Sequence, residues 1–343
     1  MYRTAIVADR AYMAHLPGRH HPERPERIAA VIDMTEELSR PALKHYAPRP
    51  ASIAELRLCH TADYIAMVEE SAGVARFDFD ADTHSSPATW TTARLATGGL
   101  LTALEAVIDS HVNNAFAVVR PPGHHARPGQ AMGFCFFNNA AVGAKWLIET
   151  RGLRRVLVMD WDVHHGNGTQ EMFYASPQVL YMSTHQYPFY PGTGWFNEVG
   201  VDRGAGFTVN APLPASFGDN EYLSIFDDLL LPIARQFQPE FVLISAGFDC
   251  HHRDPLGGMR VTEAGFAAMA RRMTRLAAES CGGKVVAVLE GGYDLQALAA
   301  GTRAVIEEFG RDVEPVAPAA RSQRAVPLLD RARHFLAPYW KLD

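Results

Sequence analysis

The stretch Val156-Leu157-Val158-Met159-Asp160-Trp161-Asp162-Val163-His164-His165-Gly166-Asn167-Gly168 joins two unlike patterns. Four apolar, partly β-branched residues come first, and the chain then changes abruptly to Asp, His and Gly. A short run that is apolar on both faces is what a buried parallel strand requires. The same run recurs at Ala5–Ala8, Ala115–Val119, Val179–Met182, Phe241–Ile244 and Val285–Leu289. Between these runs lie alanine- and leucine-rich segments with helical spacing, at Thr91–Ile108, Tyr222–Phe237 and Ala264–Glu279. Strand alternating with helix predicts an α/β fold, a largely parallel sheet flanked by helices. With 343 residues, 48% of them hydrophobic and 20% charged, the chain can bury a large core. No linker divides it, so residues 1–343 are expected to form a single domain. Pro22 and Pro25 in HHPERPERI (20–28) predict a rigid loop entering a helix near Ile28. The Pro-, Ala- and Arg-rich stretch from Asp312 to Val326 reads as a loosely held excursion.

The residues just past each run say more about function. RPPGHH (120–125), DWDVHHGNG (160–168), STHQYPFYPGTG (183–194), SAGFDCHH (245–252) and EGGYDL (290–295) all begin where a run ends. Open α/β sheets bind ligands beyond the carboxyl ends of their strands. Five loops rich in His, Asp, Tyr and Gly should therefore meet on one rim.

Composition narrows the alternatives. A net charge of −6 with no basic run disfavours nucleic acid as a partner. Cys59, Cys135, Cys250 and Cys281 are widely spaced with no CxxC pair, which argues against both disulfides and a thiolate metal site. No segment has the apolar length of a signal peptide or a membrane span. A cytoplasmic location is expected, and oligomeric state, self-association included, is left open.

On an extended chain Asp160, Asp162 and His164 point to one side. Two carboxylates and an imidazole on one face are costly unless a cation compensates them. Asp249, ending another strand, can add an oxygen ligand. Two carboxylates and one histidine leave a coordination position open, the mark of a catalytic site. The donor set is open to Zn2+ but oxygen-rich for it, and Fe2+ or Co2+ would fit the same ligands. His124 and His125 could supply the base and the acid that a reaction of metal-bound water needs. Three other His doublets exist, at His20–His21, His164–His165 and His251–His252, so position must decide. Tyr293 could donate to a developing oxyanion, and Phe134 and Tyr190 could wall a narrow channel.

Taken together, HHPERPERI, RPPGHH, DWDVHHGNGT, SAGFD, DPLGGM and EGGYD resemble the zinc-dependent histone deacetylase superfamily, which includes acetylpolyamine amidohydrolases. The resemblance spans nearly the whole chain and is greatest to class II and bacterial members. It implies an arginase-like α/β domain with zinc on Asp162, His164 and Asp249. It also implies His125 as general base and acid, His124 as its electrostatic neighbour, and Tyr293 polarising the acetyl carbonyl. Asp160 would orient His124, and Asn167, where class I members carry Asp, would back His125. Gly133, Phe134, Tyr190 and Leu256 would line the substrate channel, and Tyr190 replaces the usual Phe. Arg27 matches the arginine of the acetate-release cavity. A potassium site would draw on Asp160, Asp162, His164, Ser183 and Thr184. A second cation site would use backbone oxygens of Phe173, Ser176, Val179 and Phe207.

The implied activity is hydrolysis of Nε-acetyl-lysine or another acyl-lysine amide. The apolar Leu256 stands where polyamine-specific members carry an acidic gatekeeper, and no long channel-narrowing insertion is evident near residues 70–90. Acetylated polyamine is the alternative substrate. An arginase-like dinuclear hydrolase is disfavoured because Asp162 is followed by Val-His-His-Gly rather than by Asp-x-His-x-Asp. A non-catalytic acyl-lysine binder is disfavoured because Tyr293, both histidines and all three ligands are present.

Overall fold

The six apolar runs lie in strands because each can satisfy its backbone only by pairing with another buried run. In the computed structural model, which describes residues 2–38 and 42–342, they belong to one sheet. The strands in chain order are β1 (Thr4–Ala8), β2 (Leu43–Tyr46), β3 (Phe77–Asp78), β4 (His84–Ser85) and β5 (Asn114–Val118). They continue with β6 (Val156–Asp160), β7 (Val179–Gln186), β8 (Thr208–Leu213), β9 (Phe241–Ala246) and β10 (Val285–Leu289). Eight of them pair in the order β2-β1-β5-β10-β9-β6-β7-β8, and every pairing in that sheet is parallel. Strands β3 and β4 form a separate antiparallel pair.

Because all eight run the same way, their carboxyl ends share one edge. The five motif-bearing loops come after β5, β10, β9, β6 and β7, which are five contiguous strands in that order. Residues at equal height across the sheet fix their meeting point: Asp160 pairs with Ser183 on one side and Ser245 on the other. All residues of β5, β6, β9 and β10 are buried, so both faces of the sheet are covered.

The helices expected from spacing occur at Thr89–Ile108 and Glu263–Cys281. The expected helix over Tyr222–Phe237 is interrupted: helical turns at Asp219–Ile225 and Leu231–Phe237 flank a π-helical turn at Phe226–Leu230. Pro232 explains the change of register, since it lacks an N–H and its ring crowds the carbonyl four residues back. Pro25 opens the helix Pro25–Glu37, as the HHPERPERI pattern requires. Residues 311–322 have no regular structure, but they are tied down more firmly than composition suggested. Ala319 N–H donates to Asp227 at 2.8 Å and Ser322 N–H to Ser224 at 2.8 Å, before a helix at Val326–Leu336. Two edge strands had no clear signal in the sequence: β2 is half polar and β8 contains Asn210 and Pro212.

One buried ion cluster joins the N-terminal segment to the functional edge. Glu23, Arg120, Arg27 and His15 are all 0–1% exposed. Arg120 Nε lies 2.5 Å and Arg27 Nη1 2.9 Å from Glu23 Oε1. Arg120 also donates to the carbonyls of Tyr12 and His15, and His15 Nε2 stands 3.6 Å from Glu23 Oε2. Burial by itself would raise the Glu23 carboxyl, but Arg120 and Arg27 outweigh it and hold it at about 2. Removing one partner leaves the other charges buried and unmatched. Glu23→Gln should therefore lower unfolding free energy by about 3–5 kcal/mol, read from the denaturant midpoint. The Glu23 carboxyl is depressed from 4.5, so its contribution is complete above that pH and fades as pH falls toward 2. The deficit of the variant should shrink across that window. A deficit of less than about 1 kcal/mol at neutral pH would mean that the two arginines do not depend on Glu23.

Candidate metal centre and active site

Asp162, His164 and Asp249 converge, with one potential ligand atom from each within 4.8 Å of the others. The geometry that achieves this differs from simple alternation along a strand. Strand β6 ends at Asp160, and Asp162 to His165 lie in a turn. His164 N–H donates to Asp162 Oδ1 at 2.8 Å, so the turn itself folds the imidazole back over the carboxylate. The other oxygen of Asp162 accepts from Gly291 N–H at 2.9 Å. Asp249 Oδ1 accepts from Val163 N–H at 2.8 Å. Each carboxylate thus spends one oxygen on a neighbouring loop and turns the other toward His164 Nδ1, at 3.1 Å from Asp162 and 3.2 Å from Asp249.

Close approach explains a glycine whose role the sequence did not disclose. A Cβ on Gly291 would lie 2.1 Å from Asp249 Oδ2 and 2.6 Å from Asp162 Oδ2. Gly133 makes comparable room for His125, whose ring would meet a Cβ there at 2.4 Å. The φ of Gly133 is +55°, which also favours glycine.

The electrostatics call for positive charge. Asp162 and Asp249 are fully buried. Burial and the neighbouring Asp162 push Asp249 up to about 7. Burial works against a charged His164, but Asp162 and Asp249 prevail and raise it to about 10. Asp249 Oδ2 has no aligned hydrogen bond, although His164 Nδ1 is near. Two carboxylates and an imidazole with an orphaned oxygen fit a divalent cation of the zinc, iron or cobalt class. This is the one such grouping of His, Cys, Asp and Glu among the described residues.

His124 and His125 flank this centre in contrasting environments. His124 Nδ1 is 3.0 Å from Asp160 Oδ2, and its Nε2 is 3.9 Å from Asp162 Oδ1. Burial disfavours its charge, yet Asp160 and Asp162 lift it to about 10. His125 Nδ1 is 2.8 Å from Asn167 Oδ1. Burial, then the adjacent His124 and His164, drive His125 well below its usual value. With Nδ1–H donating to the amide oxygen, Nε2 of His125 keeps its lone pair. The other doublets separate by position. His165 turns away to Thr193 and Gln170, His21 packs edge-on against Phe134 at 4.6 Å, and His251 faces Glu263.

Above the centre is a cavity of about 210 Å3. Gly133, Phe134, Tyr190 and Leu256, the residues expected along a channel, line it together with His124, His125, His164 and Tyr293. Phe189 and Asp82 line it too, and neither was expected. Phe189 stacks on His164 at 5.3 Å, while Tyr190 is 38% exposed at the mouth and stands perpendicular to His125 at 5.1 Å. Asp82 arrives on the turn between β3 and β4; its only sequence signal was the DAD of residues 80–82. Burial of the Tyr293 phenol raises it far above its ordinary value, so its hydroxyl remains a donor.

Arg27 lies over the Tyr293 ring at 4.8 Å. Its Nε and Nη2 each donate at 2.6 Å, to the carbonyls of Gly292 and Glu290, and its Nη1 reaches Glu23. The guanidinium is thus fully engaged in holding the loop under Tyr293. Glu290, also unforeseen, accepts from Gly123 N–H at 2.6 Å and His124 N–H at 3.1 Å, fixing the turn that presents both histidines. Of the residues expected around potassium, Asp160, Ser183 and Thr184 are buried side by side, and the Thr184 hydroxyl has no partner. For the second cation site, the carbonyls of Phe173 and Phe207 already accept from Ser176 N–H and Tyr181 N–H.

Comparison with known proteins places this geometry. The profile of the histone deacetylase domain matches residues 21–309. A probable deacetylase of Archaeoglobus fulgidus is 42% identical over 297 residues, covering 85% of this chain and 82% of that protein. Histone deacetylase 15 of Arabidopsis thaliana is 40% identical over 89% of this chain and 56% of its own length. The human polyamine deacetylase HDAC10 is 40% identical over 93% of this chain and 49% of its own length. This chain therefore spans about half the length of the plant and human relatives. The crystal structure of the HDA15 HD domain matches with a TM-score of 0.91 at 37% identity, over 99% of this chain and 95% of that one. With one α/β sheet, one buried Asp-His-Asp cluster and a domain match across most of its length, the chain belongs to the histone deacetylase family.

Proposed function

We propose that the protein is a metal-dependent deacetylase that hydrolyses the amide of Nε-acyl-lysine. The observation that carries this reading is the contrast across the cavity floor. A neutral imidazole at His125 and a protonated phenol at Tyr293 both line the space above Asp162, His164 and Asp249. Those three side chains would hold a divalent cation, zinc by family resemblance, which supplies Lewis-acid polarisation of the carbonyl and acidification of the attacking water.

The chain's own residues divide the remaining work. His125 Nε2 accepts the proton of the attacking water and returns it to the leaving amine. Asn167 holds the tautomer that makes this exchange available. His124, kept charged by Asp160, adds positive potential beside the developing oxyanion. The Tyr293 hydroxyl donates to that oxyanion, a bond that strengthens as the carbonyl becomes tetrahedral. Phe134, Phe189 and Tyr190 enclose an aliphatic chain and keep bulk water from the floor. Potassium near Asp160, Ser183 and Thr184 would steady the carboxylates from below.

Leu256 at the mouth gives no charge to a distal ammonium, which favours lysine in a peptide. Asp82 supplies a carboxylate for a peptide N–H at the rim. Acetylated polyamine is the second reading, supported by the human polyamine deacetylase among the relatives and by Asp80 beside Asp82. In a direct comparison, acetyl-lysine peptides should give the higher kcat/KM over acetylputrescine and acetylspermidine. The reverse order would transfer the assignment to polyamines. Tyr293→Phe should reduce kcat by about 10²- to 10³-fold, the cost of an oxyanion donor. Undiminished turnover in that variant would remove the phenol from the mechanism.

A further inference from the structure

We infer that Asp254 is a positioning residue for Tyr293, latching the loop that carries the phenol to the loop that carries Leu256. This rests on the deacetylase reading above and on the oxyanion role of Tyr293. Tyr293 comes after two glycines, and Gly292 has φ +123°. A backbone so permissive does not by itself hold a phenol in place. Something must fix it, and the structure offers two holds. Arg27 grips the carbonyls of Glu290 and Gly292 from one side. Asp254 grips the amides from the other.

Asp254 is 7% exposed, and both of its oxygens are engaged by peptide N–H groups. Oδ2 accepts from Tyr293 at 2.6 Å and from Asp294 at 3.3 Å, while Oδ1 accepts from Leu256 at 2.9 Å. Asp294 in turn caps the helix Leu295–Phe309 through Ala297 N–H, so the latched loop runs directly into a rigid element. Bonds to an ionised acceptor are about twice as strong as neutral ones. Asp254 does not line the cavity and touches no reacting atom, so it reaches the phenol through the residues that it holds; its charge is also felt at Asp249, and metal content therefore has to be read beside the rate. One carboxylate thereby sets the height of the phenol at the floor and of Leu256 at the mouth.

An amide cannot reproduce this arrangement. The oxygen of Asn could accept from one loop, but its NH2 would then face the N–H of the other. A displacement of about 1 Å at a catalytic group can cost about 10²-fold in rate. Asp254→Asn should therefore lower kcat on an acetyl-lysine peptide by about 10- to 100-fold, with KM changed by less than about threefold. The test is a double-mutant cycle with Tyr293→Phe, measured in single turnover with excess enzyme, alongside metal content. If Asp254 acts through the phenol, Asp254→Asn should cost less than about twofold more in the Tyr293→Phe background, and metal content should match the wild type. An equal factor in both backgrounds, or a loss of bound metal, would overturn the latch and assign Asp254 a general scaffolding role. Should Asp254→Asn not fold, Asp254→Ser, which keeps a single acceptor, carries the same cycle. Failure of the wild type to hydrolyse any acetylated amine, or full activity of Tyr293→Phe, would strike at the underlying reading instead and overturn the latch with it.

Discussion

Two carboxylates, Asp162 and Asp249, are buried beside one imidazole, out of reach of bulk solvent. Desolvating a single ionised carboxylate costs several kcal/mol, and placing a second beside it adds repulsion. The fold answers with oriented backbone amides: Gly291 N–H serves one carboxylate and Val163 N–H the other. Those amides belong to different loops, so meeting this electrostatic demand also assembles the site. A cation is the remaining compensation, and the orphaned oxygen of Asp249 marks where it would be felt.

The two histidines show how one sheet edge makes opposite tools from the same side chain. Their rings lie 4.0 Å apart, yet Asp160 holds a proton on one while burial and the neighbouring histidines leave the other neutral, its Nδ1 against the Asn167 oxygen. A charged His124 itself helps to discharge His125, because two adjacent imidazolium ions would repel each other. Pairs of titratable groups whose surroundings push them apart are the usual basis for dividing acid and base roles. Glu290 supports the division mechanically, since it pins the amides of Gly123 and His124.

Much of this was legible in the sequence because it was encoded locally. Six apolar runs predicted six of the eight parallel strands, and the motif after each of five runs predicted the common rim. The hidden parts depended on tertiary contact. Strands β2 and β8 lack the pattern because an edge strand has fewer neighbours to satisfy and tolerates Lys44, Asn210 and Pro212. The convergence of Asp162 and His164 was foreseen, but its cause is a turn rather than an extended strand. Phe189, Glu290 and Asp254 sit inside quoted motifs and Asp82 in a short acidic repeat, but none of these patterns gives the residue a role, which comes from residues elsewhere in the chain. Asp254 does so from Tyr293, 39 positions away, and Glu290 from Gly123, 167 positions away. The residues offered base, acid and oxyanion donor, and the resemblance divided the roles of His124 and His125 and identified the bond as an acetyl amide.

The buried Asp-His-Asp cluster would hold one catalytic cation. Elemental analysis of the purified protein, set beside an Asp249→Asn variant, tests it most directly. One divalent metal ion per wild-type chain is predicted, with loss of that ion in the variant. Two ions per chain, or an undiminished content in Asp249→Asn, would contradict the claim.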